Sequence, residues 1–309
     1  MQKKNPPTKH LSPINNLLKT FSLWDTNLET IYPAITLLQA TPKYTTTIDE
    51  NREASIASES INDADYKLYS DGSGHDNGLG AAAILYEKRR ARPVRRLQAY
   101  LGTTDKHNTY EAEAIGALLA LWILQNTPET VGKKVSLYID NQSIIVAMNP
   151  IKSTSGQHLL LALRQAANGS GSKLSIKWIS SHSKVTGNEE ADKMVKEAAA
   201  GRSSAMASLP HILGSPLPIS ASALKQDFNS KLKTKWEAKW DASPRKPRVT
   251  QFGGSFPYGA FLSKLFTLTR NQSSIILQIR CGHFPLNKYL HRLKLQDMVW
   301  QCRQHLPLL

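Results

Sequence analysis

Asp71 closes an alternating stretch, Tyr66-Lys-Leu-Tyr-Ser-Asp71, immediately ahead of a glycine-rich run, and Asp140 closes a second, Val135-Ser-Leu-Tyr-Ile-Asp140. Asp192 lies in a helical stretch opened by Asn188-Glu-Glu-Ala-Asp192, and either Glu111 or Glu113 of another can face the same place. A single acid at a strand end reads more readily as a solvated terminus. Several carboxylates that converge cannot all stay ionised unless cations neutralise them. A shell of hard oxygen ligands selects Mg²⁺ or Mn²⁺ over zinc. Two such ions about 3.5–4 Å apart form a clamp for in-line phosphodiester cleavage, one activating water and the other stabilising the departing oxygen.

The elements that must position these acids alternate between strand and helix. Tyr66–Asp71 is predicted as a strand, with Gly72, Gly74, Gly78 and Gly80 marking a tight turn. Ala81–Tyr86 and Val94–Leu101 follow as strands, joined through the basic tip Lys88-Arg89-Arg90-Ala-Arg92 and Pro93. Thr109–Gln125 is a helix, interrupted in composition only by Gly116. Val135–Asp140 is a buried strand, Ser143–Met148 and Gln157–Ala167 are short helices separated by Pro150, and Leu174–Ser180 is a further strand. Asn188–Ala200 is a last helix, stopped by Gly201. This order makes an α/β domain. In such sheets ligands gather at the carboxyl ends of parallel strands, so Asp71 and Asp140 should be neighbours if their strands pair.

The chain has 309 residues and a mass of 34.3 kDa, with 40% hydrophobic residues, so a packed core is within reach. Its longest uncharged apolar run, Ala114–Leu124, is far below the roughly 20 residues of a membrane span. The opening residues Met1-Gln-Lys-Lys-Asn-Pro-Pro are unlike a secretory signal, so an intracellular protein, nuclear or cytoplasmic, is expected. Cys281 and Cys302 cannot build a disulfide framework or a four-ligand zinc site. The formal charge is +15, and it is unevenly spread. Residues 1–65 hold six basic and eight acidic residues, 66–200 seventeen and twelve, and 201–309 sixteen and four. A polyanion is therefore the expected partner, with nucleic acid ahead of an anionic membrane.

Residues 1–65 read as an N-terminal extension ending in an acidic linker from Thr45 to Asp65. A Ser/Ala/Pro linker covers 202–222, and 223–309 form a basic, helical C-terminal extension. In the latter, Leu224, Phe228, Leu232, Trp236 and Trp240 recur every four residues among Lys225, Lys231, Lys233, Lys235 and Lys239. Such a row drifts about 40° per step, which favours a helix wrapping a surface over a straight coiled-coil seam. Helical patches are also expected at Ala260–Leu268 and Ser273–Arg292.

Four segments together resemble type 1 ribonuclease H. They are Ser70-Asp-Gly-Ser-Gly74, Glu113 followed by Ala-Ile-Gly-Ala-Leu-Leu-Ala-Leu, Tyr138-Ile-Asp140-Asn-Gln, and Trp178-Ile-Ser-Ser-His182 with Asn188-Glu-Glu-Ala-Asp192. The resemblance covers residues 66–201. It implies an α/β ribonuclease H-like fold with a mixed five-stranded sheet, the first three strands antiparallel and the fourth and fifth parallel to the first. It implies Mg²⁺-dependent endonucleolytic cleavage of the RNA strand of RNA/DNA hybrids, leaving 5′-phosphate and 3′-hydroxyl ends. Asp71 would bridge both metals, Asp192 would help hold the one that activates water, and Glu113 and Asp140 the one facing the leaving oxygen. Glu113 fits the family pattern better than Glu111, and two residues apart is about 200° around a helix, so only one can point inward. His182 would sit on a mobile loop and assist proton movement and product release.

The resemblance also implies substrate contacts from Gly72, Ser73 and Asn77, since only the 2′-hydroxyl distinguishes ribose directly. The chain departs from many relatives in having Asn108-Thr-Tyr-Glu-Ala-Glu113, and no room between Asp140 and Trp178 for an extra basic helix. The basic hairpin or the tail would then grip the hybrid. Trp236-Glu-Ala-Lys-Trp240 and Leu277-Gln-Ile-Arg-Cys-Gly-His283 through His291 resemble polyproteins of non-LTR retrotransposons. There a reverse transcriptase precedes the nuclease and a zinc knuckle follows; Cys302 and His305 alone do not complete one. A monomer is expected, with a reverse transcriptase lost or supplied in trans. The competing reading is a catalytically idle, nucleic-acid-binding remnant of such a polyprotein.

Overall fold

The computed structural model describes residues 19, 22–24, 26–33, 41–181, 183–250 and 259–281. Two compact units are present, Met1–Asn229 and Ser230–Leu309. The first unit is built on a sheet of β1 (Thr45–Thr47), β2 (Tyr66–His75), β3 (Gly78–Glu87), β4 (Arg95–Thr103), β5 (Lys134–Ile139) and β6 (Lys173–Trp178), in the order β1-β6-β5-β2-β3-β4. Pairings β2/β3 and β3/β4 are antiparallel, while β2/β5, β5/β6 and β1/β6 are parallel. The five strands implied by the resemblance are thus present in the expected pairing, and a sixth joins them at one edge.

That sixth strand comes from the stretch read as an acidic linker. Thr45–Thr47 pairs with Ser175–Lys177, and α1 (Arg52–Ser60) follows, capped by the Asn51 side chain accepting from the Ala54 N–H at 2.9 Å. Polar composition hid both, because β1 is an exposed edge strand and α1 buries only Ser55 and Glu59 fully. The glycine run also folds differently from the expected tight turn. Gly72 and Gly74 lie inside β2, Gly78 and Gly80 inside β3, and the turn is Asp76-Asn77, both with positive φ (46° and 67°). Two such residues are what a two-residue hairpin requires to match strand twist.

On one face of the sheet lies α2 (Thr109–Gln125), with α4 (Gln157–Asn168) against it and α3 (Gln142–Ala147) beyond the end of β5. Ile115, Leu119, Leu121 and Leu124 of α2 are fully buried with Leu68, Leu137 and Ile176 of the strands. On the other face α5 (Thr186–Ala199) crosses β3 and β2. There Tyr69 and Tyr138 stack with centroids 5.2 Å apart, beside Ile84, Ile179 and Ala191. The odd/even alternation of Leu68 and Tyr69 divides the two cores, as the strand period dictates.

The β4 edge of the sheet is covered, while β1 forms the other edge and is exposed. The Ser/Ala/Pro stretch runs beside β4, where Ser204 N–H donates to the Gln98 carbonyl at 2.8 Å and Tyr100 N–H to Ser203 Oγ at 2.8 Å. The N-terminal segment is held by Glu29, whose buried carboxylate accepts the Gly156 and Ala221 N–H groups, each at 2.7 Å, and the Ser155 hydroxyl. Ala221 opens α6 (Ala221–Asp241), so one carboxylate serves the start of α4 and the start of α6.

The second unit contains the later part of α6, then α7 (Lys246–Thr250), α8 (Gly259–Phe266) and α9 (Arg270–Cys281). Ala223 is the one buried residue of α6 among those described, while Leu232 is 51% and Trp236 44% exposed. His283 and His291 of the retrotransposon-like segment, and Cys302 and His305, lie outside the described residues.

Burial opposes the charge of Glu29, but the His158 ring 3.5 Å away and hydrogen bonds from Ser155, Gly156 and Ala221 bring its carboxyl down to about 2. A depressed acid stabilises the fold above its ordinary value of 4.5 and loses that contribution as pH falls through the folded value. Glu29→Gln should cost about 1–3 kcal/mol at pH 7. In thermal melts the gap to the wild type should close between pH 4.5 and about 2.

Candidate active site

The register of the parallel pair places the first two acids side by side. Ser70 of β2 pairs with Ile139 of β5, so Asp71 and Asp140 occupy the next position on adjacent strands. Asp71 is 7% exposed, and its Oδ1 accepts the Gly72 N–H at 2.7 Å. The Asp140 backbone is fixed from the neighbouring strand end, where Trp178 Nε1 donates to the Asp140 carbonyl at 2.9 Å.

Glu113 arrives from α2, which crosses β2 so closely that no side chain fits between the two backbones. A Cβ on Gly72 would lie 2.1 Å from the Ala112 carbonyl carbon, and one on Gly116 would lie 2.5 Å from the Asp71 carbonyl oxygen. Two glycines facing each other across this crossing bring Glu113 up to the strand end. One carboxylate oxygen from each of Asp71, Glu113 and Asp140 then lies within 4.8 Å of the other two. The alternative acid is spent elsewhere. Asn108 and Glu111 form a capping box at the start of α2, the Asn108 side chain accepting from Glu111 N–H and Glu111 Oε2 from Asn108 N–H at 3.0 Å.

Electrostatically the cluster is under stress. Burial first, then the Asp140 charge and more weakly that of Asp192, push Asp71 up to about 7 against the favourable Gly72 N–H. Burial, followed by the charges of Asp140 and Asp71, holds the Glu113 carboxyl far above the usual carboxylate range. Glu113 Oε2 is buried and has no hydrogen-bond partner among the described residues. Three hard oxygen donors, mutually repelling and one of them unsatisfied, are a fit for a divalent cation.

Asp192 is not a member of this tight group. It sits on α5, near enough for its charge to act on Asp71, and its Oδ2 accepts from Lys196 Nζ at 2.6 Å. The structure thus brings three of the four expected acids together and places Asp192 beside them, paired to a lysine. His182 lies outside the described residues. Of the expected substrate contacts, Gly72 and Ser73 adjoin Asp71 on β2. Asn77 is at the hairpin tip about 20 Å along the strand, where its Oδ1 accepts from the Thr104 hydroxyl. Sequence reasoning missed the Trp178 contact, which spans 38 residues and leaves no local signal. It also missed Lys196, which the i, i+4 spacing from Asp192 announces.

Residues 63–200 match the family model described as RNase H. An RNase H domain therefore occupies this part of the chain. The comparison with curated proteins gave no match. Among solved structures, the chain is similar to the N-terminal RNase H domain of a Mycobacterium tuberculosis protein fused to maltose-binding protein, at 15% identity and TM-score 0.37, covering 44% of this chain and 94% of that one. It is similar to LC11-RNase H1 in complex with an RNA/DNA hybrid at 18% identity and TM-score 0.37, covering 44% and 96%. RNase H1 from Halobacterium salinarum gives 20% identity and TM-score 0.35, covering 44% and 98%.

An acid raised in the folded state destabilises as pH climbs: Asp71 costs nothing below its ordinary 3.8 and its full amount above about 7. In chelator, Asp71→Asn should therefore melt with the wild type near pH 4 and several degrees above it at pH 8, and Mg²⁺ should narrow that gap by stabilising the wild type. Gly116→Ala should cost about 1–3 kcal/mol by overpacking. It should also weaken the Mg²⁺-induced rise in melting temperature, because displacing α2 withdraws Glu113.

Proposed function

We propose that this chain is an endonuclease that hydrolyses the RNA strand of RNA/DNA hybrids, leaving 5′-phosphate and 3′-hydroxyl ends. Asp71, Glu113, Asp140 and Asp192 act as its metal-holding groups. The observation that carries the reading is the meeting of Asp71, Glu113 and Asp140 oxygens within 4.8 Å, inside the segment that matches RNase H. Two Mg²⁺ ions, with Mn²⁺ as substitute, would supply Lewis-acid activation of water and neutralise charge on the departing oxygen. Asp71 has its Oδ1 engaged by the Gly72 N–H, which orients its carboxylate at the strand end. Asp140 is held in place through its own backbone by Trp178, so its carboxylate is presented at a fixed height above the sheet end. Lys196 orients Asp192 at the approach to the site through the hydrogen bond from its Nζ.

The basic hairpin is a weaker grip than its composition implies. Arg90 pairs with Glu87 at 2.6 Å and Arg96 with Glu190 of α5, so part of its charge is neutralised within the fold. The retroelement reading rests on flanking residues, of which 282–309 lie outside the described residues.

Incubating the full chain with a hybrid labelled on its RNA strand tests the function. Mg²⁺-dependent shortening of the RNA is expected, with no cutting of the DNA strand and none after chelation. Asp71→Asn and Asp140→Asn should each lower turnover by about 10³-fold or more, since each removes a ligand charge felt most in the transition state. Cleavage that survives in the double variant would overturn the assignment. Hybrid binding without any turnover would favour the idle remnant.

A further inference from the structure

Helix α6 carries a second pattern that hydrolysis does not use. From Lys231 onward each apolar residue of its row is preceded by a lysine: Lys231-Leu232, Lys235-Trp236, Lys239-Trp240. Both rows advance four residues at a time, about 6 Å and 40° per step, so they wind along the helix side by side about 100° apart. Leu232 and Trp236 stand out in solvent, and Lys235 and Lys239 form no ion pair among the described residues. The indoles of Trp236 and Trp240 are parallel, 8° between planes with centroids 6.0 Å apart.

We propose that residues 231–240 of α6 bind single-stranded nucleic acid, with bases stacking on the Trp236 and Trp240 rings and phosphates following the lysine row. The step of about 6 Å is nearly twice the 3.4 Å rise per phosphate of a duplex strand. It suits a strand drawn out until its bases unstack to meet aromatic rings. Charge complementarity points the same way, because residues 201–309 carry sixteen basic and only four acidic side chains. A membrane is the poorer occupant. An interfacial helix buries one straight apolar face, whereas this row turns through roughly 160° between Leu224 and Trp240. The site goes beyond the hybrid-cleaving reading and stands without it, since nothing in it calls on the carboxylate cluster.

The test is fluorescence anisotropy of a labelled 20-nucleotide oligo(dT) titrated with the full chain in chelator, so that cleavage plays no part. Trp236→Ala with Trp240→Ala should weaken binding about tenfold or more, and Trp236→Phe with Trp240→Phe should restore most of it. Lys231→Gln, Lys235→Gln and Lys239→Gln together should reduce the slope of log affinity against log salt by about 2. Circular dichroism of each variant reports whether α6 is kept. Wild-type affinity in both the alanine and the glutamine variants would overturn the proposal. So would binding to phosphatidylserine vesicles with none to the oligonucleotide. Loss of hybrid cleavage with oligo(dT) binding intact would count against the hydrolytic reading alone.

Discussion

The crossing of α2 over β2 is the constraint on which the rest of the site depends. Asp71 and Asp140 are neighbours by sheet register, a cheap arrangement that parallel pairing supplies by itself. Glu113 is different, because its approach requires two backbones to touch where Gly72 and Gly116 meet Ala112 and Asp71. The helix bears the consequence well. Its flanks are alanine, leucine and isoleucine, buried on nearly every side, so packing energy opposes the repulsion that three converging carboxylates create. A stiff core is thus the counterweight to an electrostatically strained surface.

The same division of labour recurs at the margins. Glu29 is a buried carboxylate like Asp71, yet its acidity moves the opposite way, because three hydrogen-bond donors and the His158 ring surround it where Asp71 has one backbone N–H and two acidic neighbours. The donors and charges set against burial decide which carboxylate stays charged. One acid serves as a clamp for the chain, while the other faces its acidic neighbours.

Much of this was legible in the sequence wherever local pattern and tertiary role coincide. Val135–Asp140 reads as a buried strand because it is buried on both faces, and Thr109–Gln125 reads as a helix because nothing in it competes. The motif acids were legible by type and order, and Asp71, Glu113 and Asp140 do converge. The choice between Glu111 and Glu113 needed the Asn108 cap, a reciprocal pair that spacing alone suggests but does not settle. The glycines misled for a physical reason: the residue signals a turn and a close helix crossing equally well, and here Asp76-Asn77 make the turn. Thr45–Thr47 and Ser203–Ser204 were illegible, since an edge pairing by polar residues leaves no hydrophobic period to read.

Those two edge contacts have a bearing on how small the folded unit can be made. The RNase H match spans 63–200, which excludes both the strand beside β6 and the serines beside β4. Trimming the protein to that match would uncover N–H and C=O groups along two outer strands at once. The trimmed protein would then be prone to associate strand-to-strand with its own copies, so the smallest unit with β4 and β6 both protected is larger than the segment that the family match recognises.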